Sequence, residues 1–361
     1  MSLAVAVAAH RAQLQAYPLI GGHAGMEVYR LPGGIIEKVA LDAHNRRALQ
    51  NDIRFLDEMA GSGMTPTPRV GVVREHEGKA YAFQSNDLGR SDHHPLDGEL
   101  FRRNMIRLLW ELRSRNVRHG DMTSSNIILK RDWPYLIDFQ EAHFIGEPAP
   151  QKQPWSDSGL CFRTIAEWPA DGQEVGDTPR VARRWRAVLR DLGAHTDLAL
   201  PLKGKTFCDL GCFQGDFVAA AACEGMRASG IDTGGFHTGE NSIAIARELW
   251  SYMPVKFDQA NIMDLDTFNF DVVLLFSTFA YMVRDYGRAA AEAKLMEIAQ
   301  DCGILYFETQ LAGDGPGPAW LPSDEAVQSW LNGLGCEAAP IVTIPVVGRR
   351  ASRTVWRVAH G

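Results

Sequence analysis

Two short stretches of the chain carry residue types at spacings that suit group transfer. The first reads His119-Gly120-Asp121-Met-Thr-Ser-Ser-Asn126-Ile-Ile-Leu and is followed by Leu136-Ile137-Asp138-Phe139. Phosphoryl transfer asks for a carboxylate to orient the acceptor hydroxyl, ligands for a metal that neutralises phosphate charge, and a cation on the nucleotide phosphates. Asp121 suits the first task. Asn126 and Asp138 offer the hard oxygen atoms that Mg2+ takes. The second stretch reads Phe207-Cys208-Asp209-Leu210-Gly211-Cys212-Phe213-Gln214-Gly215, and Asp232 ends Ala-Ser-Gly-Ile-Asp further on. Glycines on a strand-to-helix turn let backbone approach a ligand closely, and a carboxylate ending the next strand suits ribose hydroxyls. Nicotinamide binding is the competing reading of such a turn. The D-x-G-x3-G spacing and the helix-free strands near the end of the chain argue against it.

These residues need elements to hold them. MSLAVAVAAHR reads as a first helix rather than a signal peptide. YPLIGGHAGMEVYRL and GGIIEKVAL, rich in β-branched residues and punctuated by glycine, predict paired strands, with Lys38 on the second. Asp42 to Gly61 has Leu49, Ile53, Leu56 and Met59 at helical spacing. A hairpin turning at Glu-Gly-Lys follows, then an amphipathic helix over Leu100 to Asn116, then short strands at NIILK and PYLIDF. From Ile145 to Arg180 the chain is rich in proline and glycine, apart from one helical stretch near Gly159 to Trp168. This predicts a first domain over 1–150, a linker over 151–178 and a second domain over 179–361. In the second domain a helix over Val181 to Leu192 leads into alternating segments: TFCDLGC, FVAAAACEGM, ASGID, ENSIAIARELW, FDVVLLFS, RAAAEAKLMEIAQ and GILYFET. APIVTIPV and TVWRVA end the series. Strand–helix alternation of this kind predicts a doubly wound, mostly parallel sheet.

The HGD-x4-N and hydrophobic-Asp-Phe pattern resembles the small-molecule branches of the protein-kinase-like superfamily, over roughly residues 18–145. The resemblance implies an α+β kinase-like fold, ATP and Mg2+ as cofactors, and Lys38 on the nucleotide phosphates. It implies a helix acid paired with that lysine, for which Asp52 is the best placed. Gly21, Gly22 and Gly25 stand where a nucleotide-covering loop or a plain hairpin would need glycine. Gln140 replaces the usual glycine after Asp-Phe. Few residues remain before the second domain, so the C-lobe is reduced and a peptide-docking lobe does not fit. The implied acceptor is a sugar or other small hydroxyl.

The second half resembles class I S-adenosylmethionine-dependent methyltransferases, an α/β Rossmann-like fold, over roughly 179–361. By that match Gly211 and Gly215 line the methionine end of S-adenosylmethionine with Asp209 nearby, and Asp232 holds the ribose. Asn261 or Asp264 flanks the adenine, and the stretch from Phe276 to Tyr281 faces the transferring methyl group. Arg349, Arg350 and Arg353 would suit a phosphate, because guanidinium forks match its oxygens. The Gly313–Pro318 loop (GDGPGP) is a candidate substrate lid, and His237 a candidate acceptor contact. The two halves together are similar to the bifunctional kinase–methyltransferases that cap bacterial O-antigen chains, with the domain order reversed and no coiled-coil heptads.

Composition narrows the classes. With 37 Lys+Arg against 44 Asp+Glu and a formal charge of −7, the total shows no basic imprint of a nucleic-acid surface. No apolar run reaches the ~18 residues of a membrane span, and six cysteines without a CxxC pair read as reduced thiols of a cytoplasmic protein. The expectation is a cytoplasmic bifunctional enzyme, phosphorylating a glycan or small hydroxyl and methylating the product. Two alternatives stand: a methyltransferase with a non-catalytic kinase-like binding module, and a nucleotide-sensing scaffold.

Overall fold

The computed structural model describes all residues except 1, 24, 70–71, 93, 148–155, 169–177, 195–201, 236–240, 346–351 and 361. It divides into two compact units, Met1–Pro179 and Arg180–Gly361.

In the first unit, α1 (Leu3–Leu14) leads into β1 (Leu19–His23), β2 (Met26–Leu31) and β3 (Ile35–Ala40). Then come α2 (Ala43–Glu58), β4 (Arg74–His76) and β5 (Lys79–Asn86). The five strands form one antiparallel sheet in the order β1-β2-β3-β5-β4. The β4–β5 turn takes left-handed backbone at Glu77 and Gly78 (φ 55° and 68°), as tight hairpins require. Asp42 caps α2, accepting from Asn45 N at 2.8 Å. The buried stripe of α2 contains Leu49, Phe55 and Leu56, with buried Met59 as its C-cap, and also Asp52. Residues at i, i+3 and i+7 share a helix face, so the spacing that buries Leu49 and Leu56 carries Asp52 inward with them.

The rest of this unit contains α3 (Gly98–Ser114), β6 (Val117–Arg118), β7 (Ile127–Lys130), β8 (Trp133–Leu136), β9 (His143–Phe144) and α4 (Asp157–Glu167). β7 and β8 form a hairpin, and β6 pairs with β9. The helical stretch expected near Gly159 to Trp168, inside the 151–178 segment, is present as α4. Ser156 caps α4, accepting from Gly159 N at 3.2 Å, and Leu160, Cys161, Phe162 and Ile165 are buried. The Trp168 ring lies 5.6 Å from Phe101 of α3. An apolar face with a hydroxyl cap suffices to fold the eleven residues of α4 inside a proline-rich stretch.

In the second unit, α5 (Thr178–Asp191) precedes β10 (Thr206–Leu210), α6 (Asp216–Cys223), β11 (Arg227–Asp232), α7 (Ser242–Leu249) and β12 (Lys256–Gln259). β13 (Val272–Phe276), α8 (Phe279–Tyr286), α9 (Arg288–Asp301) and β14 (Leu305–Glu308) follow. α10 (Asp324–Gly333), β15 (Cys336–Pro345) and β16 (Ser352–His360) complete it. The sheet order is β12-β11-β10-β13-β14-β16-β15, parallel from β12 to β14, with β16 antiparallel to both its neighbours. This is a doubly wound α/β sheet with a closing hairpin. β12, α8 and α10 escaped the sequence reading. β12 spans four residues, of which only Phe257 is buried, too short for alternation to register. The chain leaves β10 in one direction and returns to β13 on its other side, so the carboxyl ends of these two strands form the crevice where such sheets bind ligands.

Candidate active sites

In the first unit the side chains converge on a cavity of about 800 Å³. Its walls include Val28, Ile36, Phe83, Leu56 and Ile128, and its polar end carries Lys38, Asn126, Asp138 and Gln140. Gly21 and Gly22 border it from the β1–β2 hairpin. Gly22 has φ +123°, and a Cβ there would stand 2.3 Å from the Met26 carbonyl oxygen, so this position accepts only glycine. Gly25 belongs to the turn at the end of that hairpin, where a Cβ would meet the Asn45 side chain.

Lys38 Nζ donates to Asp52 Oδ2 at 2.6 Å and to Asp138 Oδ1 at 3.0 Å. Asp52 Oδ1 accepts the Phe139 N–H at 2.8 Å. One fully buried carboxylate thus ties α2, β3 and the Asp138 segment together. Burial disfavours the Lys38 charge, but Asp52 and then Asp138 outweigh it, and the ammonium pKa stands above its ordinary value. Burial likewise opposes ionisation of Asp138. Lys38 outweighs that, helped by the Gln140 amide, and holds the carboxyl below the usual range.

Asp121 is fixed by Asn126, whose Nδ2 donates to the Asp121 carbonyl (2.9 Å) and to its Oδ2 (2.8 Å). Both amide hydrogens are then engaged, leaving Asn126 Oδ1 as the free acceptor. Asp121 N donates to His119 Nδ1 (3.3 Å) while His119 Nε2 donates to the Ile137 carbonyl (3.0 Å). These bonds select the neutral tautomer protonated on Nε2. The His119 ring stands edge-on to Phe139, 4.7 Å between centroids.

Sequence reasoning passed over two residues here. Asp157, at the start of α4, accepts the backbone N–H groups of His119 (2.6 Å) and Gly120 (2.9 Å). Asn51, beside Asp52 on α2, donates to the carbonyls of Phe139, Gln140 and Ala142 at 3.2, 2.9 and 2.7 Å. The only sequence signal for Asp157 is its place directly after a Ser that caps a helix. Nothing in the sequence connects it to a loop 37 residues earlier.

In the second unit the glycine turn follows β10. Gly211 and Gly215 both have positive φ (+82° and +79°). A Cβ on Gly211 would lie 2.1 Å from Thr278 Oγ1, and one on Gly215 2.4 Å from the Phe257 ring. Phe213 between them is left-handed at φ 50°, and its N–H donates to Asp232 Oδ2 at 3.0 Å. Asp232 Oδ1 accepts from Gly234 N (2.9 Å) and Ser242 Oγ (3.3 Å). Three of its roughly four acceptor directions are taken, which leaves room for one further donor. Asp209 is fully buried, and no donor among the described residues reaches its carboxylate. Burial, and then Asp232 and Asp216, push its pKa up to about 8.

The remaining expected residues separate. Phe276 ends β13, its ring 5.5 Å from Phe217. Tyr281 is half-buried on α8, with the Arg284 guanidinium 5.0 Å from its ring. Asn261 caps the turn Ile262–Asp264, accepting from Met263 N at 3.0 Å, and its amide nitrogen is bonded to the Tyr286 hydroxyl. Asp264 is exposed. Arg349, Arg350 and His237 lie outside the described residues. Arg353 corrects its expected role as a free phosphate fork. Buried at 8% exposure, it donates to Asp314 Oδ2 (2.7 Å), Ser277 Oγ (2.9 Å) and Glu308 Oε1 (3.4 Å). Glu308 also contacts Arg184. The candidate lid is therefore anchored at Asp314, since a buried guanidinium needs carboxylate partners. Cys208 is buried on β10 with its thiol pushed up to about 12 by burial. Among the described residues no cluster of three or more His, Cys, Asp or Glu could hold a metal.

No protein-family model and no curated protein matches the chain. Among solved structures, the chain is similar to the bifunctional kinase-methyltransferase WbdD, at 18% identity over 54% of this chain and 41% of that one, with a TM-score of 0.39. Thus it spans about two fifths of WbdD. It is similar to the magnesium protoporphyrin IX methyltransferase of Synechocystis PCC 6803 with bound SAM, at 18% identity over 56% and 91% of the two chains, TM-score 0.38. A putative RNA methyltransferase from Pyrococcus horikoshii matches at 12% identity over 52% and 85%, TM-score 0.36.

Proposed function

We propose that the chain is a two-site transferase. The first unit moves the γ-phosphoryl group of ATP to a sugar or other small hydroxyl, and the second methylates an acceptor with S-adenosylmethionine. One observation carries the first half: Lys38, Asn126 and Asp138 border one cavity, with Lys38 held by Asp52 and Asp121 held by Asn126. The donors fit Mg2+, which takes one or two protein oxygens and fills its octahedron with phosphate and water. Asn126 Oδ1 and the Asp138 carboxylate are those oxygens. Bound there, Mg2+ offsets the charge of the transferring phosphoryl group. Lys38, kept cationic by two carboxylates, binds the phosphates. Asp121 Oδ1, which has no hydrogen-bond partner among the described residues, accepts the hydrogen of the acceptor hydroxyl and orients its oxygen. The apolar walls suit an adenine ring.

In the second unit the two glycines admit the methionine end of the cofactor, and Asp209, ionised, accepts its ammonium group. Asp232 offers its remaining acceptor direction to a ribose hydroxyl. Methyl transfer is an in-line displacement, so this positioning is the main contribution of the chain.

A second reading, in which the first unit binds nucleotide without transferring phosphate, is favoured by the Gln140 amide lying 2.6 Å from Asp138 Oδ1. Calorimetry with S-adenosylhomocysteine, and with a non-hydrolysable ATP analogue plus Mg2+, tests both cofactor assignments. Saturable binding of each is expected, with the nucleotide lost in Asp138→Ala. Mg-ATP turnover on a sugar panel, abolished by Asp121→Asn, separates transfer from binding alone. Absence of nucleotide binding refutes both readings of the first unit.

A further inference from the structure

Asp138 Oδ1 is saturated by the chain itself. It accepts from Gln140 Nε2 at 2.6 Å and from Lys38 Nζ at 3.0 Å, and a carboxylate oxygen has two lone pairs. The surrounding backbone has little freedom to change this. Asn51 clamps the carbonyls of Phe139, Gln140 and Ala142, and Asp52 holds the Phe139 N–H. Asp138 itself occupies left-handed backbone (φ 68°, ψ 65°), which a non-glycine residue keeps only when its surroundings enforce it. Of the two donors, Lys38 is anchored a second time by Asp52. Gln140 is neutral and half-buried at the border of the cavity, and no other group among the described residues holds its side-chain nitrogen. The amide is therefore the group that yields when a cation approaches that oxygen.

We propose that Gln140 is a positioning residue acting as a latch. Its amide holds the Asp138 carboxylate and swings away when a divalent cation arrives with nucleotide. This rests on the phosphotransferase reading of the first unit. Metal loading then competes with an internal hydrogen bond, so the wild-type chain binds metal more weakly than one lacking the amide.

The test is a Mn2+ titration of the full chain with ADP present, followed by electron paramagnetic resonance, on wild type, Gln140→Ala and Gln140→Met. Methionine keeps the side-chain length and removes the donor. Both variants should bind Mn2+ about tenfold more tightly, the equivalent of one hydrogen bond to a charged group. Unchanged or weaker Mn2+ binding in either folded variant, beside a wild type that binds Mn2+ with ADP, overturns the latch and leaves the phosphotransferase reading standing. A wild type that binds no nucleotide overturns both.

Discussion

Asp209 offers a prediction with two opposed readouts. Its native pKa is pushed up to about 8 by burial and by Asp232 and Asp216, from an ordinary carboxyl value of 3.8. Between about pH 4 and 8 the folded chain therefore binds a proton that the unfolded chain does not. Stability contributed at low pH is lost progressively as pH rises through that window, and the curve flattens above 8. At pH 7 the loss spans about three pH units, or about 4 kcal/mol at 1.36 kcal/mol per unit. Asp209→Asn keeps the shape and removes the ionisation. The variant should be more stable than wild type at pH 7 by on the order of 2–4 kcal/mol, raising the melting temperature by about 4–16 °C for a unit of this size. Its advantage should shrink toward pH 4. Cofactor binding should move the other way. An ammonium ligand draws Asp209 into its charged form, so S-adenosylhomocysteine affinity of wild type should rise about tenfold from pH 6 to 7. Asp209→Asn should weaken binding by about tenfold or more. Scanning calorimetry across pH 5–8 and isothermal titration supply the readouts. A variant melting at or below the wild-type temperature at pH 7, with the same pH slope, refutes the reasoning.

Two further outcomes follow from the contacts. Asp157→Ala deletes a carboxylate that accepts two backbone N–H groups of the His119–Gly120 turn, and should cost about 3 kcal/mol. Urea unfolding measures that loss, and a cost below about 1 kcal/mol would show that water replaces the carboxylate. Gly215→Ala sets a methyl group against the Phe257 ring at a backbone angle of +79°. It should destabilise the chain by about 1–3 kcal/mol and weaken S-adenosylhomocysteine binding, whereas wild-type affinity in this variant would remove the glycine turn from the cofactor site.

The local sequence determined most of the elements. Helical spacing marked α2, alternation of strands and helices marked the doubly wound sheet, and the placement of Asp121, Asn126, Asp138, Gly211, Gly215 and Asp232 at strand ends and turns follows from their local offsets. α4 was only half legible, because prolines on either side outweighed its apolar face. What the sequence could not contain is any relation that closes over long chain separations. Whether Asp52, with its short side chain, reaches Lys38 depends on how closely α2 packs on β3. Whether Arg353 is free or buried depends on the Gly313–Pro318 loop folding back to bring Asp314 against it. Asp157 and the loop it caps, and Gln140 folded onto Asp138, are likewise products of packing. Periodicity and spacing report the face a residue occupies, while hydrogen-bond partners and shifted pKa values arise only when faces from distant segments meet and exclude water.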